Sequence, residues 1–206
     1  MQKTNKKEQQ RIASIDRIMT RALDLFVTHG YRATTVDMIA SYAKLTKGAI
    51  YFHFESKEAI LSRLLDDAEA IVVEPVVSQT AKSKMPALDK LVSFLHQQSK
   101  VALSHPQHLL LLILMSVEFY GTKTETEGRV RGIYRRVYKY IEGFIRQGQR
   151  EGTIRSDVSS RELTAIVMAE HDGTLIEWYR RPGELDGKML TRVSRVTLLD
   201  GLRARR

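Results

Sequence analysis

The 206-residue chain has no cysteine, only four prolines and a single tryptophan. Without cysteine there is no disulfide, no thiolate nucleophile and no zinc finger, which fits a reducing compartment such as the cytoplasm. Four prolines and 12 glycines beside 43% hydrophobic residues argue against a disordered chain. The N-terminal run MQKTNKKEQQR lacks an apolar stretch, so it is not a secretory signal. The most apolar segment, Leu109 to Met115, falls far short of the ~20 residues of a membrane span, and no membrane partner is expected. Also missing are a Walker loop, a Rossmann glycine pattern, a nucleophile elbow, HExxH and paired catalytic carboxylates. The chain therefore reads as a non-enzyme with neither cofactor nor metal. What it does have is 33 basic against 24 acidic residues, a formal charge of +9 that favours a polyanionic partner.

Residues 34 to 58 carry the strongest pattern. Thr34 with Asp37 reads as a capping box opening a short helix, whose apolar positions Val36, Ile39, Ala40 and Ala43 recur at helical spacing. Lys44 and Leu45 break the run, and Thr46 caps a second short helix through Ile50 and Phe52. Two short helices meeting at a tight turn place the second in a DNA major groove while the first crosses the backbone. On that second helix Lys47 reaches a base edge or phosphate, Gly48 lets the backbone approach, Ala49 offers a methyl, and Tyr51 and His53 offer polar tips to phosphates. Phe52 and Phe54 read as core residues.

The run Gly30, Thr34-Thr35-Val36, Ile39-Ala40, Ala43, Thr46-Lys47-Gly48, Tyr51-Phe52-His53-Phe54, Ser56-Lys57-Glu58 resembles the DNA-binding domain of the TetR family of bacterial transcription regulators, over roughly residues 8 to 65. That resemblance implies phosphate contacts from Thr34, Thr35, Tyr51, His53 and Lys57, and base readout by Thr46, Lys47 and Gly48, with Lys44 on the same DNA-facing surface. One position departs: the family often has glycine in the turn where Lys44 stands. A left-handed backbone there would cost roughly 1–2 kcal/mol. The basic arm Lys3, Lys6, Lys7 and Arg11 either follows the DNA or is a solvated tail.

Every other segment also reads helical, so the fold class is all-α with about nine helices. The expected division is residues 1–56 as the helix-turn-helix domain and 57–206 as a larger helical domain, with 76–86 as the linker. Expected helices run from before Ile12 to Gly30, from Lys57 towards Val73, over 87–104, 106–119 and 127–151, from near Ser159 to Tyr179, and from Glu184 to Arg203. The last two join at Arg181-Pro182-Gly183 into an antiparallel pair whose apolar faces include Leu163, Ile166, Val167, Leu175, Trp178, Leu190, Val193 and Val196. Two copies would make a four-helix interface, as the resemblance also implies, giving a homodimer.

The larger half supplies candidates for a small-molecule pocket: His96, Ser99, Leu103, Leu110, Met115, Phe119, Tyr134, Tyr138, Met168 and His171. They combine apolar surface with a few polar tips. The resemblance implies an effector but not which one. Glu170-His171-Asp172 is not expected to converge on one atom, since helix neighbours point about 100° apart. Arg129, Arg131, Arg135, Arg136 and Lys139 read as a solvated face. The expected function is a repressor that binds a palindromic operator on double-stranded DNA and is released by a small hydrophobic ligand. The alternative is a DNA-binding regulator or architectural protein without ligand response.

Overall fold

A computed structural model describes residues 6–75 and 84–204. Among these residues there are nine α-helices and no strand, with one isolated bridge between Ile154 and Arg203. The head is α1 (Lys6–His29), α2 (Val36–Ala43) and α3 (Lys47–His53). Then comes α4 (Lys57–Ala68), which continues as a single π-helical turn, Glu69–Val73. The body is α5 (Ala87–Ser104), α6 (Pro106–Glu118), α7 (Glu125–Arg150), α8 (Ser160–Arg180) and α9 (Gly187–Leu202). Most of the expected linker, and Lys3 of the basic arm, lie outside the described residues; Lys6 and Lys7 already belong to α1.

Local chemistry sets the boundaries. Gly30 stops α1 with a φ of +83°, a region that suits a residue without Cβ. The hydroxyl of Thr35 accepts from the Met38 N–H at 3.2 Å and is the cap of α2. The cap therefore sits one residue later than expected, and with Met38 at the third helical position there is no reciprocal carboxylate to complete a capping box. Thr34 is fully buried and its hydroxyl turns inward, donating to the Gly30 carbonyl at 2.8 Å and towards that of Leu25 at 3.3 Å. Thr46, Ser56, Thr124 and Ser159 cap α3, α4, α7 and α8 in the ordinary way. The last helix starts at Gly187 rather than Glu184, because Asp186 accepts from two of its first N–H groups. In the turn between α2 and α3, Lys44 does adopt the left-handed conformation, with φ 55° and ψ 46°.

One apolar cluster runs from Ile18, Ala22 and Phe26 through Ile39 and Ile50 of the head, along Ile60 and Leu64 of α4, to Leu111, Met115, Ile133 and Leu175. Packing is thus unbroken at residue 56. A second cluster, including Leu91, Phe94, Ile141, Ile145, Val167, Leu198 and Leu202, closes the far end of the body. Polar contacts reinforce the join between head and body. The Glu118 carboxylate accepts from the Tyr31 N–H at 3.0 Å and the Arg32 N–H at 2.7 Å. Gln107 donates to Asp24 at 2.6 Å.

The basic face of α7 is not uniformly solvated. Arg129 pairs with Asp66 and with Glu69, and Arg136 pairs with Glu69 and Glu74, so two of its five cations strap α7 to α4 and its π turn. Each partly exposed pair is worth little alone, but together they form a network around one segment.

Replacing Lys44 by glycine is expected to raise the unfolding free energy by about 0.5–1 kcal/mol in urea titrations, since it removes left-handed strain at some entropic cost. A loss instead would mean that the lysine side chain outweighs the strain. His108 supplies a second expectation. Its Nδ1 is buried with no hydrogen-bond partner among the described residues. Burial first, then the neighbouring His105, holds its pKa below the ordinary 6.5, against an opposing pull from Asp67. As pH falls below 6.5 the unfolded chain takes a proton that the folded chain resists, so stability drops. His108→Leu should flatten that fall in thermal melts between about pH 7 and 5.

Candidate nucleic-acid interface and ligand cavities

On α3, Ile50 points inward and Phe54, one turn on, packs beside it against the core. Phe52, two residues on and about 200° round the helix, therefore faces away, and Tyr51, about 100° round, stands to the side. Tyr51 is 49% exposed and Phe52 79% exposed, which corrects the expectation that Phe52 lies in the core. The signal was available in the offset from Ile50. The Phe52 ring stands edge-on to His53, with centroids 5.0 Å apart. Thr35, Lys44, Thr46, Lys47 and Gly48 are exposed as well, and so is Tyr42 of α2, which the sequence reading passed over. A Cβ on Gly48 would meet only the Thr46 hydroxyl at 3.9 Å, so nothing inside the protein demands glycine there. Lys47 bridges to Asp37 at 2.8 Å, a contact that raises its pKa and spans α3 and α2.

Two residues expected at phosphates are occupied inside the head. Thr34 is buried, as described above. The Lys57 ammonium donates to the carbonyls of Tyr31 and Thr34, both at 2.8 Å, and lies 4.1 Å from the centre of the Tyr31 ring. A cation that meets two backbone acceptors and a π face is structural in this position.

In the body, the pooled ligand candidates separate into distinct places. His96 is exposed and Leu103 is 43% exposed, and neither borders the three spaces described below; Leu110 is buried in the head-to-body core. Met168, Tyr134 and His171 line an apolar interior cavity with Val72 and Val73 of the π turn, Phe94 and Ile133. Ser99 and His171 border a neighbouring cleft with Glu170, Trp178 and Ser194 between α5, α8 and α9. Met115, Phe119, Tyr134 and Tyr138 line a third space between α6 and α7.

A polar line crosses the interior cavity. Gln98, 4% exposed, donates to the Val72 carbonyl at 3.0 Å, and its amide oxygen faces His171 Nε2 at 3.2 Å. His171 Nδ1 meets Asp172 at 2.9 Å, so these two neighbours do meet each other, while Glu170 turns away towards Thr174 and Ser194. Burial above all, then the Asp172 carboxylate, holds the Tyr134 hydroxyl protonated well above the ordinary tyrosine range, against a smaller opposing pull from a hydrogen bond with Ser116. Gln98 was missed in the sequence, although a glutamine inside the apolar stripe of α5 was its mark.

Of the expected dimer residues, Leu163, Val167 and Leu175 are buried within the protomer, so their surface is already used to seat α8. Trp178 and Leu190 are half-buried and line the cleft beside α9. Ile166, Val193 and Val196 are 58%, 54% and 50% exposed, and Tyr179 and Met189 on the same two helices are also exposed.

Lys57→Met should cost about 1–3 kcal/mol in chemical denaturation without DNA, because it strips donors from two carbonyls. A loss below about 0.5 kcal/mol would place Lys57 among the weakly held surface cations.

Residues 18–64 match the model of the bacterial regulatory proteins, tetR family. Across nearly its whole length the chain is similar to the MbdR regulator from Azoarcus sp. CIB, at 53% identity and a TM-score of 0.84, covering 92% of this chain and 98% of that one. It is also 28% identical to the HTH-type transcriptional repressor BepR of Brucella suis, covering 91% of this chain and 90% of the repressor. The regulator FadR from Bacillus subtilis, solved in complex with stearoyl-CoA, shares the fold at 21% identity and a TM-score of 0.70, with 91% and 99% of the two chains covered. Family model, near-complete relative and capped helix-turn-helix agree: the chain belongs to the tetR family of bacterial regulatory proteins and is a DNA-binding transcription regulator.

Proposed function

We propose that the protein is a cytoplasmic repressor that binds a palindromic operator as a homodimer and is released by a hydrophobic small-molecule effector. The observation that carries this reading is the outer face of α3, where Thr46, Lys47, Gly48, Tyr51 and Phe52 are exposed while Ile50 anchors the helix from behind. In this reading residues 1–56 form the reading head and 57–206 the effector and dimer half. Thr46, Lys47 and Gly48 read bases, and Thr35, Lys44, Tyr51 and His53 meet phosphates. Lys47 exchanges Asp37 for DNA on binding.

The exposed apolar side chains Ile166, Val193 and Val196, with Tyr179 and Met189, support self-association through α8 and α9. The apolar lining of the interior cavity, about 30 Å³ as it stands, supports a hydrophobic effector that widens it on entry and whose polar group meets the line of Gln98, His171, Asp172 and Tyr134. That a regulator of the same fold holds an acyl-coenzyme A ester favours an acyl group as the apolar part. The π turn of α4 supports the coupling, since Val72 and Val73 line the cavity at one end of a continuous helical segment whose other end begins at the head. An occupant that prefers one setting of α4 shifts the spacing of the two heads.

The test is selection of binding sites from random duplex DNA. The expected product is an inverted repeat with half-sites about one helical turn apart; sequence-blind, salt-sensitive binding alone would overturn the reading. Gly48→Ala gives a sharper check. It should leave the fold intact, with up to about 1 kcal/mol of added helix stability, yet weaken operator binding by roughly tenfold or more as its methyl meets the groove.

A further inference from the structure

The space between the C-terminal half of α6 and the N-terminal half of α7 is a cleft of about 270 Å³ that opens to solvent. It meets the interior cavity only at Tyr134, the one residue common to both linings. Its floor is Met115 and Val130, both buried, and Phe119 and Tyr134 form its walls. Tyr120, 85% exposed, and Tyr138, 42% exposed, stand at the rim. Two guanidinium groups complete the lining, those of Arg131 and Arg135. Arg135 has no ion pair among the described residues. The carboxylate nearest Arg131, that of Glu127, is 3.9 Å away and already accepts the N–H groups of Gly121 at 3.1 Å and Lys123 at 2.6 Å. The cleft is therefore walled by aromatic rings and carries positive charge that its own carboxylate neutralises only in part.

The volume lies just below the usual range of small-molecule sites and suits one or two fused rings. Aromatic walls favour a planar ring by offset or edge contacts. Paired guanidinium groups favour a carboxylate by charge-assisted, forked hydrogen bonds. We propose that this cleft is a second ligand site, specific for planar aromatic carboxylates and distinct from the interior effector cavity. Its position gives it a direct route to the reading head. Phe119 lies against Tyr31 with ring centroids 5.2 Å apart. The preceding residue, Glu118, holds the N–H groups of Tyr31 and Arg32. A ring wedged against Phe119 bears on the turn of α6 that seats the head, so occupancy changes operator affinity; this second consequence rests on the repressor reading above.

The experiment is isothermal titration of the full-length protein with 2-naphthoate, without DNA. The expected result is one site per chain. The double variant Arg131→Ala/Arg135→Ala should bind at least tenfold more weakly, Tyr120→Ala severalfold more weakly, and the neutral analogue 2-naphthylmethanol at least tenfold more weakly to the wild type. All three side chains are exposed, so the variants should melt as the wild type does. Wild-type affinity in both variants would put the probe elsewhere and overturn the proposal, as would equal binding of the neutral analogue or no binding at millimolar probe. Because binding is read without DNA, its failure leaves the operator reading intact, and failure to select an operator leaves the cleft intact.

Discussion

The seat of the reading head depends on the ammonium of Lys57. It satisfies the carbonyls of Tyr31 and Thr34 from the first turn of α4 and lies over the Tyr31 ring. Around it, the Tyr31 hydroxyl donates to Glu58, whose pKa is lowered chiefly by that bond, while burial above all raises that of Tyr31. The Tyr31 N–H goes to Glu118 at the end of α6. One short loop after Gly30 is thus held by α4 on one side and α6 on the other. Backbone polar groups that would otherwise lose water without compensation are satisfied by two charged side chains from distant parts of the chain. This arrangement makes the orientation of α2 and α3 a property of the body as well as of the head.

The far end of α4 is held in an analogous way. Its π turn exposes a carbonyl, that of Val72, which Gln98 reaches from inside, while Arg129 and Arg136 grip Glu69 and Glu74 from outside. A π turn closes its hydrogen bonds over five residues where the preceding α-helix uses four, so it is a natural place for a change of register. The interior cavity is walled by that turn and the outer cleft by the residues next to Glu118. A small apolar cavity of about 30 Å³ therefore adjoins the π turn, and a cleft of about 270 Å³ adjoins the Glu118 seat of the head, so an occupant at either place can bias the setting of the head.

Legibility followed the kind of force involved. Helix ends governed by local hydrogen bonds could be read directly: Gly30, Thr46, Ser56 and Ser159 act at their positions. Failures occurred where a residue type has two uses and distant neighbours choose between them. Thr34 and Lys57 look like phosphate ligands, yet the Gly30 and Leu25 carbonyls at the end of α1 claim the first, and the carbonyl and ring of Tyr31, 26 residues away, claim the second. Phe52 has the apolarity of a core residue but the wrong angle relative to Ile50. Leu163, Val167 and Leu175 have the right periodicity for an interface, but periodicity does not say whether an apolar stripe meets its own protomer or another. His96 and Leu103 failed for the same reason, since only the packing of α5 reveals which side of the helix faces inward.

By itself, the sequence determined the all-helical class, the capped helix-turn-helix and its family, because capping, 3.6-residue periodicity and turn chemistry act within a few residues. It also determined that Lys44 would bear the turn between α2 and α3, and the backbone there is left-handed despite the missing glycine. Tertiary structure alone decided which polar groups remain available for DNA, how one pool of pocket candidates divides into separate spaces, and which apolar stripe is left exposed. Those outcomes depend on contacts between helices far apart in the chain, where burial and hydrogen-bond satisfaction are settled jointly rather than residue by residue.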